Sequence, residues 1–188
     1  MSNKPVGILL AAGKSQRFNS NKLLHPIIDN TPMLLVVAQK LASVLPGSVV
    51  VINAALKTYT AQLEQLGLHV VINEQAEQGM GSSIVCGVRA SNDASGWLIT
   101  LADMPYIKTQ TLTLLANKLT EGACMVAPQF KQQRGHPVGF SHAYFNELLI
   151  LNEDIGARNI IQNNQDQLEL VLTDDKGVVR DIDYPGDV

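Results

Sequence analysis

Charge is in short supply in this chain: 16% of its 188 residues are Asp, Glu, Lys or Arg, against about 25% in an ordinary soluble domain. With 46% hydrophobic residues, this composition excludes disorder and a coiled coil and commits most of the chain to burial. Aromatic residues are rarer still at 5%, so the apolar mass is Leu, Val, Ile and Ala, the material of sheets covered by helices on both faces. Cysteine is nearly absent. Cys86 and Cys124 stand far apart and in no C-x-x-C pair, which argues against a disulfide framework or a zinc site and fits a reducing cytoplasm. No apolar run approaches the roughly 20 residues that a bilayer span requires. The run at residues 6–12 follows Lys4, but it is at the lower length limit for a signal peptide and leads straight into Gly13-Lys14-Ser15. It reads as a buried first strand. A net charge of −3 argues against a general nucleic-acid or anionic-membrane surface, since those partners reward a basic face.

The charge that is present is unevenly placed. Residues 1–40 carry Lys4, Lys14, Arg17, Lys22 and Lys40 against Asp29 alone, whereas residues 151–188 carry nine acids against three cations. Such a split suits a basic loop that holds an anion and a distant carboxylate that meets a cation; solvated surface charge accounts for most of the acids equally well. Strands read at residues 6–10, 49–52, 69–72, 97–101 and 123–127. Helices read between them. One is opened by Thr31 as N-cap with Pro32 in the first turn and carries Leu34, Val37, Leu41 and Val44 on one face. A second carries Tyr59, Leu63 and Leu66 and stops at Gly67, a third covers residues 81–91, and a fourth buries Leu112, Leu115 and Leu119.

This alternation implies right-handed crossovers. The expected fold is α/β: one domain over residues 1–188, a three-layer, Rossmann-like, mostly parallel sheet with helices on both faces and ligands at the carboxyl ends of the strands. The last third is less regular, with an extended piece at residues 136–140, helices at 143–151 and 157–163, and strands at 168–172 and 178–182. Asp175-Lys176-Gly177 reads as a hairpin turn between those two strands.

The first strand ends in L-A-A-G-K-S-Q-R-F, residues 10–18, with Lys22 four residues beyond. Tiny residues at a strand's carboxyl end let backbone N–H groups approach a ligand closely, and the cations after them supply mobile positive charge, which is what a phosphate chain needs. A P-loop fits poorly, because its first glycine would fall at Ile8. Asp103 lies two residues past a strand, followed by Met104-Pro105; a carboxylate there can hold Mg²⁺ against phosphates or cap a turn. Gly79-Met80-Gly81-Ser82-Ser83 is an ordinary helix start or, with Asn73, a wall whose amide, hydroxyls and glycine backbone can hydrogen-bond a base edge.

Together these segments resemble the signature of the nucleotidyltransferases that share the molybdenum cofactor guanylyl- and cytidylyltransferase fold, a GT-A-like modification of the dinucleotide-binding sheet. The resemblance runs through L-A-A-G-x-S-x-R-F and Lys22, Asn73 with G-M-G-S-S-I at 79–84, L-A-D-M-P at 101–105, R-G-H-P-V at 134–138, G-A-R at 156–158 and D-I-D at 181–183. Those segments cover nearly the whole chain. Ala11-Ala12-Gly13 is similar to the cytidylyltransferase branch rather than to the A-G-G of the guanylyl enzymes, and the Ala12 methyl is expected to crowd a purine. Asn19, Glu153 and Tyr184 depart from the pattern, where Gly, Gly and Thr are common.

The resemblance implies a Mg²⁺-dependent enzyme that joins CTP, or another nucleoside triphosphate, to the phosphate of molybdenum-bearing molybdopterin and releases pyrophosphate, with a client molybdoenzyme as a further partner. It places Leu10, Ala11, Ala12, Gly13, Lys14 and Ser15 around the nucleotide, with Lys14 and Arg17 on the β and γ oxygens and Lys22 on the α-phosphate. Asn73, Gly79, Ser82 and Ser83 would surround the base, Asp103 and Asp183 would hold the metal, and His136, in an exposed loop, and Arg158 would meet the acceptor. The rivals are the same fold using GTP or another acceptor, such as a sugar or alditol phosphate, and a non-catalytic nucleotide-binding accessory protein. Lys22, Asp103 and Asp183 together favour the enzyme, since a mere binder has no need of an α-phosphate lysine.

Overall fold

The computed structural model describes residues 4–13, 21–152 and 156–187. Lys14, Ser15 and Arg17, expected on the triphosphate, lie outside the described residues, as do Asn19 and Glu153. In chain order the strands and α-helices are β1 (Val6–Ala11), β2 (Pro26–Ile28), β3 (Thr31–Pro32), α1 (Met33–Val44), β4 (Val49–Ile52), α2 (Thr60–Gln65), β5 (His69–Ile72), α3 (Met80–Ala90), β6 (Gly96–Leu101) and α4 (Thr109–Thr120). They continue with β7 (Met125–Phe130), β8 (Gln133–Arg134), β9 (Val138–Ser141), α5 (Phe145–Leu149), α6 (Arg158–Asn163) and β10 (Leu168–Thr173). The main sheet runs β10-β7-β9-β6-β1-β4-β5, with β8 attached to β7. β1 pairs in parallel with β4 and β6, β4 with β5, and β7 with β10; β9 and β8 are antiparallel to their neighbours.

The central strands β1, β4 and β6 are largely apolar at successive positions because both faces are covered. Leu9, Ala11, Val50, Ile52 and Leu98 point into a cluster with Leu34, Leu41, Leu63, Leu112 and Leu115 from α1, α2 and α4. Their neighbours Ile8, Leu10, Val49, Val51, Trp97 and Ile99 point the other way, onto Ile84, Val88, Leu148 and Ile160 from α3, α5 and α6. Each large side chain buried in this way contributes about 1.5–3 kcal/mol, and the sum holds β1 and β6 rigid at the centre of the sheet. Both strands end on the same edge, which is where the candidate site lies.

The structure corrects four local readings. Thr31 and Pro32 do not open the helix as N-cap and first-turn residue. They pair with β2 across Asp29 and Asn30, both at positive φ (47° and 60°) as a two-residue hairpin turn requires, and α1 begins after Pro32 with no side-chain cap. The strand expected at residues 123–127 starts at Met125, because Gly122, at φ 103°, and the Ala123 N–H bonded to Lys118 O at 3.0 Å belong to the end of α4. Residues 178–182 form no strand, and Asp175-Lys176-Gly177 forms no hairpin. Instead, a single 3₁₀ turn, Lys176–Val179, is capped by Asp175, and β10 pairs with β7. The reason is that Asp175, 1% exposed, accepts from Lys108 N, Thr111 Oγ1 and Gly177 N, which ties the segment to the start of α4 rather than to a strand.

Candidate active site

Three chain segments converge at the carboxyl ends of β1 and β6. Ala102 N–H donates to Leu10 O at 3.1 Å, which keeps the chain beside β1 for one more residue, and Met104 N–H turns back to Leu101 O at 3.3 Å. Asp103 sits at the apex of that turn. The C-terminal segment is fixed to the same turn by Ile182 N–H on Asp103 O at 2.9 Å; with Ile182 fully buried, Asp183 emerges beside Asp103. Lys22 opens a one-turn 3₁₀ helix capped by the Asn21 side chain and anchored by buried Leu23.

The Lys22 ammonium lies between the two carboxylates, 2.8 Å from Asp103 Oδ2 and 3.3 Å from Asp183 Oδ1, and donates also to Ile182 O at 3.0 Å. Burial works against its charge, but the hydrogen bonds and charges of Asp103 and then Asp183 outweigh burial and raise its pKa above the ordinary lysine value. The ammonium therefore stays charged in a part-buried position, as a group opposed to a phosphate must.

Asp103 Oδ1 is buried and accepts no hydrogen bond among the described residues. A buried, unused carboxylate oxygen is costly unless something binds it. Magnesium is commonly held by one or two carboxylates plus substrate phosphates rather than by an all-protein cage. The unused Asp103 Oδ1 and the Asp183 carboxylate, bridged by Lys22, offer that kind of donor set, so Asp103 and Asp183 fit the group.

The nucleotide-side residues divide into two sets. Leu10 and Ala11 end β1, and among the described residues nothing stands where a Cβ on Gly13 would be. Ala12 differs from expectation: its methyl is buried in the cluster with Ile8, Leu10 and Val51 and does not reach out to crowd a base, while its carbonyl accepts from Asn53 Nδ2 at 3.1 Å. Asn73, at the end of β5, donates to Ser82 Oγ at 2.9 Å and Ser83 Oγ at 3.0 Å, and accepts from Gln75 N. All three side chains are buried, and Ser82 Oγ also lies within hydrogen-bond distance of Gln75 O and Gly79 O. Their bonding is spent on shaping the loop over residues 73–79, in which Gly79 takes a φ of 100°.

His136 is half-buried rather than exposed. Its N–H donates to Val178 O at 2.8 Å, and Gly135 N–H to Pro128 O at 2.8 Å; a side chain on Gly135 would strike Val178 O. Burial, then the Arg134 charge, push the His136 imidazole below the ordinary histidine value, while Asp103 and Asp181 pull the other way. His136 and Arg134 line two adjoining cavities. One, of about 200 Å³, is walled by Met80, Ile84, Phe140 and Ile161 and includes Arg158. The other, of about 260 Å³, reaches Met104 and Asp181. Asp181 thus lines the polar cavity, and Asp183 is the carboxylate on Lys22.

Sequence reasoning gave no role to Arg134 or to the Ile182 carbonyl. The signal for Arg134 was present in R-G-H: in extended chain, residues two apart share a side, so Arg134 accompanies His136. The Ile182 carbonyl carries no such signal.

The family model for the MobA-like NTP transferase domain matches residues 7–169. The purine catabolism protein PucB of Bacillus subtilis is 32% identical over 96% of this chain and 92% of its own. Nicotine blue oxidoreductase of Paenarthrobacter nicotinovorans is 25% identical over 95% of this chain and 91% of its own. Among solved structures, Rv0371c of Mycobacterium tuberculosis superposes with a TM-score of 0.85 at 25% identity, covering 100% of this chain and 96% of that one. A second structure of the same protein, at 22% identity and a TM-score of 0.81 over 98% of this chain and 95% of that one, is a complex with manganese.

Proposed function

Because the chain belongs to the MobA-like NTP transferase domain family, we propose that it is a molybdenum cofactor cytidylyltransferase, moving CMP from CTP to the phosphate of molybdopterin that already carries molybdenum. The observation that carries this reading is the Lys22 ammonium held between Asp103 and Asp183 at the ends of β1 and β6. An acceptor phosphate oxygen bonds to the α-phosphorus, the bond to the bridging oxygen breaks, and pyrophosphate leaves with that electron pair. A phosphate monoester with a second pKa near 6 is already mostly ionised at neutral pH, so no side chain need take a proton. What remains is positioning and charge. Lys22 offsets negative charge developing at the α-phosphate, the loop from Leu10 to Ser15 with Arg17 holds the β and γ oxygens, and the loop shaped by Asn73, Ser82 and Ser83 encloses the base. His136 and Arg158 hold the acceptor. Mg²⁺ on Asp103 and Asp183 supplies further positive charge to the phosphates when bound.

Relatives named for purine catabolism and for an oxidoreductase are the company that an enzyme completing a redox cofactor for a client would keep, and two free cysteines fit work in the cytoplasm. No described helix is long and apolar enough to cross a membrane. The test is to incubate the protein with Mg²⁺, molybdenum-loaded molybdopterin and each nucleoside triphosphate in turn, and to measure pyrophosphate. CTP should release most. Release with none would end the reading, and preference for GTP would overturn the choice of nucleotide.

A further inference from the structure

The segment that carries Asp183 lies in no strand; it follows buried Ile182 and leads into a one-turn 3₁₀ helix, Pro185–Asp187. The Asp183 side chain is 37% exposed, so packing does little to aim it. What holds the segment is the side chain of Asp187. One oxygen, Asp187 Oδ2, accepts from the Asp183 N–H at 3.0 Å and from the Tyr184 N–H at 2.7 Å. These two N–H groups belong to the peptide planes on either side of the Asp183 Cα. Planar peptides leave only φ and ψ free at that atom, so one oxygen that grips both planes fixes the direction in which the Asp183 side chain leaves the backbone. Asp187 is braced in turn. Its N–H donates to Tyr184 O at 3.0 Å, and its carbonyl accepts from Arg180 Nη2 at 2.7 Å. The Arg180 guanidinium lies over the Tyr106 ring, 4.1 Å from its centroid, and Tyr106 belongs to the loop that follows Asp103. A chain of contacts thus runs from the Asp103 loop through Arg180 and Asp187 to Asp183, beside the bond from Ile182 N–H to Asp103 O.

We propose that Asp187, braced by Arg180, is a positioning residue: by holding both peptide groups of Asp183 it aims that carboxylate at Asp103 and Lys22, and so sets the affinity of the pair for a divalent cation. The inference rests on the reading of Asp183 as a metal ligand made under the proposed function. The role belongs to the acceptor oxygen of Asp187 and not to its charge, because an amide oxygen can accept from the same two N–H groups. A residue that met the cation directly would need the charge.

The probe is manganese, titrated without nucleotide into the whole protein and into Asp187→Ala, Asp187→Asn and Arg180→Gln, with the free ion followed by its paramagnetic resonance signal. Asp187 and Arg180 belong to neither core cluster, so all three variants should melt with the wild type. Groups that orient a metal's ligands are worth about 10–100-fold in affinity, so Asp187→Ala should weaken manganese binding by at least about tenfold. Asp187→Asn should stay within about threefold of the wild type, since it keeps the acceptor. Arg180→Gln removes only the brace and should weaken binding by about threefold. The Mg²⁺ concentration needed for half-maximal pyrophosphate release should rise in the same order. The proposal is overturned if Asp187→Ala binds manganese as the wild type does, if Asp187→Asn is as weak as Asp187→Ala, or if binding falls only in variants that also melt earlier. Absence of manganese binding by the wild type would overturn the metal reading of Asp183 and this role with it. The expected order of manganese affinities, with no pyrophosphate from any triphosphate, would count against the transferase reading alone.

Discussion

Lys22 has two jobs that a substitution can separate. It bridges Asp103 and Asp183 in the resting protein, and in the proposed reaction it meets the α-phosphate. Preorganised donors of this kind are worth about 3–4 kcal/mol at the transition state, so Lys22→Ala should lower kcat by about a hundredfold or more while raising KM less. The same change leaves two carboxylates facing each other without their ammonium, so manganese, titrated in the absence of nucleotide, should bind the variant more tightly than the wild type. Weaker manganese binding would mean that the carboxylates do not form the metal site. Asp103→Asn should abolish turnover and keep the melting temperature near that of the wild type, because the amide oxygen still accepts from Lys22.

His136 offers a test by pH. Its folded pKa is depressed, so as pH falls the unfolded chain takes up the proton before the folded one does. The stability it contributes is present above the ordinary histidine value of about 6.5 and is lost as pH falls through the folded value. Urea denaturation at pH 7.5 and 5 should show His136→Gln losing less stability than the wild type over that interval; equal losses would contradict the burial argument. Lys22, Asp103 and Asp183 were legible as residues because their short motifs resemble a family's. The internal bonding of Asn73, Ser82 and Ser83 was not, since a polar side chain's partner is set by tertiary approach.

At the scale of elements, the C-terminal segment is the critical piece, because it delivers Asp183. Asp175 anchors it with three accepted hydrogen bonds, Lys40 binds the facing loop through Pro105 O and Ile107 O, and Gly177 lies so close to Tyr106 O that a Cβ would collide with it. Asp175→Ala leaves buried donors unsatisfied and should cost about 2–4 kcal/mol in urea denaturation. Gly177→Ala should lower both stability and turnover, since the chain must shift away from Tyr106; wild-type activity in that variant would show that Asp183 tolerates displacement. The strands β1 and β4 were legible because double-sided burial demands unbroken apolar runs. Residues 178–182 misled because Val178, Val179 and Ile182 supply strand-like composition, while the pairing that defines a strand depends on an edge that Asp175 and Gly177 commit elsewhere. The short β9 was legible as an extended piece, but its antiparallel insertion between β6 and β7 was not, because strand order is decided by the whole sheet.

For the whole molecule, the central claim is that the sheet places Lys22, Asp103 and Asp183 on one edge to transfer a nucleotidyl group. The alternation of strands and helices made the three-layer architecture and that edge readable in advance, and the family resemblance connected Lys22 with Asp183, 161 residues away. The apolar cavity beside Arg134 and Arg158 was harder to foresee, since α3, β8, β9 and α6 each contribute only one or two residues to it. The measurement that tests the claim most directly follows label from CTP carrying ³²P at the α position, with Mg²⁺ and molybdenum-loaded molybdopterin. The account predicts label on the pterin product with the wild type and none with Asp103→Asn at matched folding. Label transfer by Asp103→Asn at the wild-type rate, or none by the wild type with any triphosphate labelled in the same way, would contradict it.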